Sequence, residues 1–479
     1  MNKELKVKDI LEITGGILLQ GDKEAVCGEF AYDTRRMNEN DVYIGLKADT
    51  IDGSEYWEEA FKKNGKIVII NNIKIDVKLL QKWPDRTIIV VENSLEALQK
   101  IAAYKRNLYG KDLKVIAITG SVGKTSTKDM VANVVAQKYK TLKTMGNYNN
   151  HIGLPLTLLH LIDQEVAVVE MGMNHFGEID LLTNIAKPDI AIITNIGTSH
   201  IGNLGSRDNI LKAKLEILDG MKNKEIIINE DNDKLNEWHN KNLENKILKI
   251  HSFGIENKSD VWASDIKLKE NASEFVCHFI KEGKEETFFV NVPVGGIHFI
   301  YNSLCATLVG ILLGIEKEKI KNGIETFALT EKRMEVKKLK DDITVINDAY
   351  NASYESIKAS LSSLDGYKEH RKIAVLGDVF ELGNFAEEMH TKIGKAVSDS
   401  NVDVLVCSGE NAKFIAEEAN KNNVDNQKQI IYFEDKSEIL KYLIDNTKSG
   451  DVILFKASNG MKFFELCNKY VQSVTENQD

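Results

Sequence analysis

The sequence predicts an α/β protein of three domains, of which the second and third are built on mainly parallel sheets. At 479 residues the chain is too long for a single hydrophobic core. Runs of β-branched residues alternate with helix-forming stretches, which favours parallel sheets covered by helices on both faces. One run ends in a glycine-containing turn at residues 119–125, a pattern typical of phosphate binding. We expect domains at residues 1–112, 113–328 and 329–479.

Composition and charge narrow the classes of protein to which the chain can belong. Apolar residues make up 43% of it and charged residues 28%, as in ordinary globular proteins. A formal charge of −10 and a pI near 5.7 argue against a general nucleic-acid or anionic-membrane surface. The N-terminus has no apolar signal core, and no apolar run approaches the length of a membrane span. We therefore expect a cytoplasmic protein with no nucleic-acid partner and no membrane span.

The cysteines support the same expectation. Five are scattered along the chain without a Cys-x-x-Cys pair: Cys27, Cys277, Cys305, Cys407 and Cys467. An odd count without a metal-ligand spacing favours reduced thiols in the cytoplasm over a disulfide framework or a zinc site.

The predicted elements follow one another as in linked α/β domains. In the first domain we predict strands near 41–46, 66–70 and 87–91, and a helix over 95–109. In the second domain we predict strands near 115–119, 166–170, 190–195 and 225–229, antiparallel strands within 261–291, and an apolar helix from about 298. In the third domain the alternation resumes with strands near 344–347, 372–376, 404–407 and 452–456.

The turn after the first strand of the second domain is the strongest local motif. It reads Gly120-Ser121-Val122-Gly123-Lys124-Thr125-Ser126. Glycines let backbone N–H groups close around an anion, and the N-terminus of the following helix adds its positive dipole end. Lys124 is expected to reach the outer phosphates and the Thr125 hydroxyl to ligate magnesium. The full eight-residue pattern needs glycine where this chain has Ile118, so an ordinary strand-to-helix turn is the alternative.

Two polar residues come at or just past the ends of neighbouring strands, where ligands gather in parallel sheets. Glu170 closes the apolar run at 166–170 and could hold magnesium beside the phosphate loop. Its alternative role is to pair with a helix N-terminus. His200 follows the strand at 190–195 and could ligate a metal, although a lone histidine is more often a loop or core residue.

Lys214 occupies an unusual position in the helix predicted from Arg207 to about residue 220. At 100° per residue it falls within the apolar stripe formed by Leu211, Leu215 and Leu218. An inward-facing lysine tends toward the neutral amine, which can react with carbon dioxide to give a carbamate. Helical geometry alone favours the alternative, in which Lys214 extends to solvent or pairs with Glu216 or a more distant carboxylate.

Three further loops carry residue types suited to polar ligands. The stretch 33–36 contains Arg35, whose planar guanidinium fits a diphosphate, although an isolated loop arginine is more often a surface charge. Asn149 and Asn150 could bind a polar ligand or simply form turns. The stretch 348–351 follows a predicted strand and is also a common turn composition.

Taken together, these motifs resemble the Mur ligase family, the ATP-dependent amino-acid ligases that build the cytoplasmic peptidoglycan precursor. The family form TGSxGKT explains the short phosphate loop. The same order continues through Thr144-x-Gly146-Asn147-x-Asn149-Asn150-x-Ile152-Gly153-x-Pro155-Leu156, Glu170-Met171-Gly172-Met173, Asn195-Ile196-Gly197-x-x-His200 and Lys212-Ala213-Lys214-x-Glu216-Ile217. The resemblance covers the whole chain and is far more specific than any single motif.

Within the family, the chain is most similar to the branch that adds D-alanyl-D-alanine to UDP-N-acetylmuramoyl-tripeptide. The similarity lies in residues 169–173, in Leu376-Gly377-Asp378-x-x-Glu381-Leu382-Gly383 and in Asp348-x-Tyr350-Asn351-Ala352. An Asp-Asn-Pro-Arg stretch, expected of the branch that adds the third amino acid, is absent. The resemblance implies these two small-molecule substrates and a monomer. Another Mur-type or folylpolyglutamate-type ligase, or a nucleotide-binding regulator without catalysis, is the alternative.

The resemblance also implies roles for individual residues. The catalytic set is Lys124, Glu170, His200 and Lys214. The ATP-binding set is Gly120, Ser121, Val122, Gly123, Lys124, Thr125, Ser126, Asn302, Arg333 and Asp348. Two Mg²⁺ ions are implied, with ligands from Thr125, Glu170, His200 and a carbamylated Lys214. The substrate-binding set is Thr34 and Arg35 for the UDP end, Asn149 and Asn150 for the muramoyl-peptide, and Tyr350 and Asn351.

Some positions depart from the family pattern. Ala48 and Ser54 stand where glycine and histidine are usual, and residues 456–459 read Lys-Ala-Ser-Asn in place of Lys-Gly-Ser-Arg. Ser353-Tyr354 replaces a proline-containing turn. The ATP-handling residues are intact, so we expect activity. The departures leave open whether the acceptor is D-alanyl-D-alanine, D-alanyl-D-lactate or D-alanyl-D-serine.

Overall fold

The computed structural model describes residues 3–281, 283–329, 334–424 and 427–476. These residues form three sheets that follow one another along the chain, each with helices packed against it. The predicted three-domain α/β class is therefore confirmed. The boundaries at 112 and 328 stay predictions. Within the described residues, none of the helices combines the length and the apolar character that a bilayer crossing requires.

The first sheet is small and mainly parallel. Its strands are β1 (Ile17–Gln20), β2 (Phe30–Ala31), β3 (Val42–Ile44), β4 (Ile67–Asn71) and β5 (Thr87–Val91). Their spatial order is β1-β5-β4-β3-β2, and only β1 runs antiparallel to its neighbour. The helices are α1 (Val7–Thr14), α2 (Trp57–Lys62), α3 (Val77–Leu80) and α4 (Ser94–Asn107). Helix α4 begins where the Asn93 side chain accepts hydrogen bonds from the first free backbone N–H groups.

The second sheet has nine strands. They are β6 (Lys114–Thr119), β7 (Thr141–Lys143), β8 (Val166–Glu170), β9 (Ile190–Ile193), β10 (Lys224–Asn229), β11 (Leu248–Gly254), β12 (Val261–Lys269), β13 (Ala272–Lys281) and β14 (Lys284–Val292). The spatial order is β14-β13-β12-β11-β10-β9-β6-β8-β7. In this spatial order, all neighbours from β7 through β8, β6, β9, β10 and β11 to β12 pair in parallel. Strands β12, β13 and β14 pair antiparallel, as predicted for residues 261–291.

The helices of the second domain cover both faces of this sheet. They are α5 (Lys124–Val135), α6 (Gly153–Leu159), α7 (Glu178–Ala186), α8 (Ile201–Leu204), α9 (Arg207–Leu215), α10 (Asp233–Lys241), α11 (Ile297–Leu312) and α12 (Lys317–Glu325). Strand β6 lies between β8 and β9, and its residues 115–118 are fully buried, as expected of a central parallel strand. Strands β7 and β8 lie on one side of β6, and β9 and β10 lie on the other. Because the connections leave in opposite directions, a crevice is expected at the carboxyl end of β6.

The third sheet has six strands. They are β15 (Glu335–Lys338), β16 (Thr344–Asn347), β17 (Lys372–Gly377), β18 (Val404–Ser408), β19 (Gln429–Phe433) and β20 (Val452–Lys456). The spatial order is β15-β16-β20-β17-β18-β19, with β15 as an antiparallel edge. Its helices are α13 (Tyr354–Ser363), α14 (Ala386–Ser398), α15 (Ala412–Lys421), α16 (Ser437–Asn446) and α17 (Phe463–Glu476). The carboxyl ends of β16 and β20 face the second domain.

Candidate active site

The phosphate loop joins the buried end of β6 to the first turn of α5. Gly120 has φ +154°, and a Cβ atom there would lie 1.9 Å from the Thr194 hydroxyl oxygen. Gly123 has φ +80° and directly precedes α5. Both positions therefore require glycine, because an L side chain would be strained there. At Gly120 it would also collide with Thr194, the residue directly after β9.

The loop is held in place by the segment that follows β9. Ser121 N–H donates to the Asn195 carbonyl at 3.1 Å, and Val122 N–H donates to the Asn195 side chain at 3.0 Å. Gly197 N–H donates to Ser121 Oγ at 2.8 Å. Lys124 folds back over the loop, with its Nζ 2.8 Å from the Gly120 carbonyl. These contacts fix the shape of the loop against a neighbouring segment, which an ordinary surface turn would not require.

Glu170 is buried beside this loop. Its Oε2 accepts a hydrogen bond from the Thr125 hydroxyl at 2.9 Å, and its Oε1 accepts one from the Asn149 amide at 2.7 Å. Its backbone N–H donates to the Thr144 hydroxyl at 3.0 Å. Asn149 thus contacts a predicted metal ligand, a contact that the sequence interpretation missed. The Asn150 side chain accepts hydrogen bonds from the N–H groups of residues 152 and 153 and so stabilises the turn that leads into α6.

His200 lies where the third domain contacts the second. It immediately precedes α8 and has φ +63°, in the left-handed region. Its Nδ1 is buried 2.5 Å from Oε2 of Glu381, although the angle is not that of a formed hydrogen bond. The contact lowers the pKa of the Glu381 carboxyl. The sequence interpretation quoted Glu381 within a motif but gave it no role.

Lys214 is buried in α9, with 1% of its surface exposed. The alternative in which it extends to solvent or pairs with Glu216 is wrong. The Glu216 carboxylate instead accepts hydrogen bonds from the backbone N–H groups of Gly177 and Asp180. Burial, with a smaller contribution from the charge of Lys124, holds the pKa of Lys214 well below its usual value. The neutral amine is therefore favoured.

A cavity of about 780 Å³ lies between the second and third domains. From the second domain it is lined by the phosphate loop, Glu170, His200 and the neighbouring helix residues 298–302. From the third domain it is lined by residues 348–353, helix α13 and Lys456. Asn302, predicted to contact the nucleotide, accepts a hydrogen bond from the Thr127 hydroxyl at 2.9 Å and lines the same space.

Asp348 is the most strongly engaged carboxylate of the third-domain wall. Its Oδ2 lies 2.6 Å from Nζ of Lys456 and 2.6 Å from the Ser360 hydroxyl, and its Oδ1 accepts from Met334 N–H at 3.2 Å. Burial opposes ionisation, but Lys456 outweighs it and the pKa of Asp348 stays below its usual value. The sequence interpretation quoted Lys456 only within a departing motif. The signal that could have identified Lys456 was a basic residue at the last position of a predicted strand, the one observed as β20.

The sequence interpretation gave no role to His298, which lines the cavity from the start of α11. The residue is half-buried, its Nδ1 atom is buried without a hydrogen-bond partner among the described residues, and loss of solvation lowers its pKa to about 4. The neutral imidazole therefore faces the cavity at neutral pH. Tyr350 and Asn351 lie on the opposite wall, as the sequence predicts for strand-end residues.

The predicted UDP-binding residues lie apart from this cavity. Thr34 begins a short 3-10 turn after Asp33, and neither Thr34 nor Arg35 is among the cavity residues. The Arg35 side chain is 85% exposed and pairs with Asp33 at 2.8 Å. Arg36 Nη1 lies 3.4 Å from the Tyr148 hydroxyl, which links this turn to the loop before α6. Arg333 lies outside the described residues.

The donor set beside the phosphate loop fits magnesium. In the described part of the chain no three His, Cys, Asp or Glu residues form a metal-binding group. Mg²⁺, however, takes few protein ligands and completes its shell with substrate phosphates and water. The Thr125 hydroxyl and Glu170 carboxylate meet at 2.9 Å next to the anion-binding loop and supply oxygen ligands of the right kind.

Two family profiles match this chain. The Mur ligase middle domain matches residues 118–310, and the Mur ligase glutamate ligase domain matches residues 332–459. The first covers the phosphate loop, Glu170, His200 and Lys214, and the second covers the third-domain wall of the cavity.

Curated relatives and solved structures agree with these profiles. The UDP-N-acetylmuramoyl-tripeptide–D-alanyl-D-alanine ligase of Bacillus subtilis is 37% identical over 98% of both chains. A crystal structure of MurF from Acinetobacter baumannii has a TM-score of 0.86 at 28% identity, over 98% of this chain and 99% of that one. The MurF ligase of Thermotoga maritima in complex with ADP has a TM-score of 0.78 at 25% identity, over 94% and 98%. The chain belongs to the Mur ligase family.

Proposed function

We propose that this protein is an ATP-dependent, ADP-forming ligase that joins D-alanyl-D-alanine to UDP-N-acetylmuramoyl-tripeptide in peptidoglycan precursor synthesis. One observation carries the proposal: an anion-binding loop and a strand-end wall of another domain face each other across one cavity. That arrangement suits a reaction in which a phosphoryl group and an amine meet the same carboxylate. The near full-length relatives of this name support the choice of substrates.

Each domain is assigned one substrate. Residues 1–112 bind the UDP-sugar, with Thr34 and Arg35 at the diphosphate. Residues 113–328 bind ATP, and residues 329–479 bind the dipeptide, with Tyr350 and Asn351 at the cavity. Asn149 and Asn150 face the muramoyl-peptide end from the loop between β7 and α6. Action as a monomer is assigned by the resemblance to the family alone.

The nucleotide is held chiefly by the second domain. Residues 120–126 surround the phosphates. The N–H groups of Ser121 and Val122 already donate to Asn195, so the N–H groups at the start of α5 and the Lys124 ammonium contact the phosphates, and Asn302 contacts the nucleotide from α11. Asp348 reaches it from the third domain. Arg333 is assigned the same role by resemblance alone. The ADP complex of the Thermotoga maritima relative supports nucleotide binding in this fold.

Two Mg²⁺ ions are assigned to the cavity. Thr125 and Glu170 would hold the first, and His200 with a carbamate on Lys214 would hold the second. Bound Mg²⁺ neutralises charge on phosphate and carboxylate oxygens, so that two anions can approach. The carbamate forms when the neutral Lys214 amine attacks carbon dioxide, an N–C bond forms and a proton leaves to solvent. The burial of Lys214 supports this assignment.

The reaction proceeds in two displacements. The tripeptide carboxylate attacks the γ-phosphorus of ATP and ADP leaves, which gives an acyl phosphate. The dipeptide amine then attacks the acyl carbon, loses a proton, and the tetrahedral intermediate expels phosphate. Lys124 stabilises the transferring group, while closure of the two domain walls excludes water that would hydrolyse the acyl phosphate.

The decisive assay is phosphate release with both substrates and with each alone. We expect release that depends on the UDP-muramoyl-tripeptide and on D-alanyl-D-alanine together. Release without any dependence on the dipeptide contradicts the proposal. Preferred use of a single amino acid or of a folate would assign the chain to another ligase of the family, and preferred use of D-alanyl-D-lactate or D-alanyl-D-serine would change only the acceptor.

The carbamate has its own test. Rigorous removal of carbon dioxide should lower the activity of the wild-type chain, and its return should restore it. Lys214→Ala should have low activity that is insensitive to carbon dioxide, whereas Lys212→Ala, two residues away on the same helix, should behave as wild type. An active Lys214→Ala variant excludes the carbamate.

A further inference from the structure

A carboxylate of the third domain contacts the predicted metal ligand of the second, and the mechanism above does not use it. Glu381 lies in the loop between β17 and α14, and its Oε2 is 2.5 Å from Nδ1 of His200. Nδ1 is buried and has no other partner among the described residues. Since an imidazole has two nitrogens, this contact leaves Nε2 as the one available to a ligand in the cavity.

Both residues of this contact have unusual backbone conformations. His200 and Glu381 each have φ +63°, the left-handed region that non-glycine residues seldom adopt. Such a conformation costs free energy and persists only where the surroundings impose it, often at a functional site. Two strained residues that meet across a domain boundary indicate that their positions relative to each other matter.

The backbone fixes the contact from both sides. Gly202 N–H donates to the Glu381 carbonyl at 3.1 Å. A Cβ atom at Gly202 would lie 2.7 Å from backbone atoms of Glu381, Leu382 and Gly383, so the two segments pack without room for a side chain. The Glu381 side chain is 54% exposed, but its carboxylate reaches His200 from a backbone that is packed against Gly202 and hydrogen-bonded to it.

A second carboxylate of the third domain contacts the same segment of the second. Glu355, in the first turn of α13, accepts a hydrogen bond from the Thr198 hydroxyl at 3.0 Å. The segment 195–200 is also bonded to the phosphate loop through Gly197 N–H and Ser121 Oγ, and through the Ser199 hydroxyl and the Ser121 carbonyl. The segment 195–200 therefore connects the third domain directly to the phosphate loop.

We propose that Glu381 is a positioning residue for metal binding, which orients His200 through Nδ1 once the third domain is docked. Histidine ligands commonly donate their second N–H to a carboxylate, which fixes the tautomer and makes the ligating nitrogen more basic. In this protein that carboxylate comes from a different domain than the ligand. The second domain alone then holds an incompletely oriented ligand, and docking of the third domain completes it. The proposal rests on the assignment of His200 under the proposed function.

The test is a titration of the full-length chain with Mn²⁺ in the presence of ADP, followed by electron paramagnetic resonance. His200→Ala identifies the binding phase that belongs to His200. We expect Glu381→Ala and Glu381→Gly to weaken that phase about 10- to 100-fold, the usual effect of losing such a carboxylate. Glu381→Gln keeps an acceptor oxygen and should lie between these variants and the wild type.

The glycine variant separates positioning from folding. Glycine suits φ +63° better than glutamate, so Glu381→Gly should unfold at the same temperature as the wild type or higher. Glu388→Ala is the matched control, because Glu388 on α14 is exposed and, among the described residues, forms an ion pair with Lys392 one turn away and with no other cation. Its Mn²⁺ affinity should match that of the wild type.

Four outcomes overturn the inference: Mn²⁺ affinity within threefold of wild type in Glu381→Gly, an equal loss in Glu388→Ala, no histidine-dependent phase at all, or a loss confined to variants that melt early. The titration needs neither the muramoyl substrate nor the dipeptide. A chain without ligase activity whose Mn²⁺ affinity still depends on Glu381 would therefore contradict the proposed function and leave this inference standing.

Discussion

The phosphate side and the sugar side of this protein are built in contrasting ways. At the phosphate loop every proposed contact group is fixed by a partner: Thr125 by Glu170, Glu170 by Asn149, and the loop backbone by Asn195. At the sugar side Arg35 is 85% exposed and bonded only within its own turn, to Asp33. Under the proposed function, the groups around the phosphates are thus preorganised, whereas Arg35 would have to leave Asp33 to bind the UDP end of the substrate.

The largest effect should come from the centre of the phosphate side. Lys124→Met removes the only cationic side chain of the loop itself, and we expect the turnover rate to fall at least about 10³-fold, as for other cations that stabilise transferring phosphoryl groups. Lys138→Met, beyond the end of α5, is the control, since Lys138 bonds the Gly314 carbonyl at the surface. Steady-state phosphate release measures both. Near wild-type turnover in Lys124→Met would contradict the proposed contact between Lys124 and the transferring phosphoryl group.

The third-domain wall should depend on its buried ion pair. Lys456→Met leaves the Asp348 carboxylate buried without its cation, so the free energy of unfolding should fall by about 3–5 kcal/mol at pH 7. Because Lys456 holds the pKa of Asp348 below its unfolded value, the stabilisation is present above the unfolded pKa and is lost as the pH falls through the folded one.

The difference between wild type and Lys456→Met should therefore shrink between pH 7 and about pH 4, where a carboxyl freed of Lys456 can take up a proton. Denaturant unfolding at several pH values measures it. Lys436→Met is the control, because the Lys436 side chain is exposed and donates to the Met461 carbonyl at the surface. A pH-independent difference would mean that packing, and not charge, explains the loss.

A smaller effect is expected for Asn149, which contacts the proposed metal ligand Glu170. Asn149→Ala removes the amide that orients Glu170, and we expect a 10- to 100-fold rise in the Mg²⁺ concentration needed for half-maximal activity. Asn147→Ala, in the same loop, should shift it little. An unchanged Mg²⁺ dependence in Asn149→Ala, with altered KM for the muramoyl substrate, would favour direct substrate contact as Asn149's main role.

The sugar side should show the smallest effect and in a different parameter. Arg35→Ala should raise KM for the UDP-muramoyl-tripeptide about 10-fold, the effect expected on loss of one charge-assisted hydrogen bond, and should leave the turnover rate nearly unchanged. Substrate titration at saturating ATP measures it. A fall in turnover at unchanged KM would erase the contrast between the two sides.

The sequence predicted the elements and motifs that depend on local pattern. Strand, glycine turn and helix at 115–135 form a contiguous signal. The helical stripe placed Lys214 among apolar positions, but helical geometry alone favoured a side chain that extends to solvent or pairs with a carboxylate, whereas the structure buries it. Six strands were missed. Five of them, β1, β2, β7, β15 and β19, lie at a sheet edge and are short or largely unburied, which leaves little apolar pattern to detect. The sixth, β11, lies inside its sheet, but only its last three residues are buried.

The contacts that complete the site could not be predicted in the same way. Asp348 meets Lys456 across 108 positions and Asn149 meets Glu170 across 21, and these distances close only when the sheets have formed. The pairing of His200 with Glu381 depends further on how two domains dock. Residue types at strand ends indicated which groups could take part but not which of them would pair.

The bonds of Asp348 have one more consequence. A carboxylate offers about four acceptor positions, and among the described residues three donors occupy three of them: Met334 N–H on one oxygen, and Lys456 and Ser360 on the other. The fourth position lies on the oxygen that accepts from Met334 N–H. Under the proposed function, a nucleotide hydroxyl bound there would add a donor without displacing any, so the ligand and the Met334 backbone would be held by a single atom.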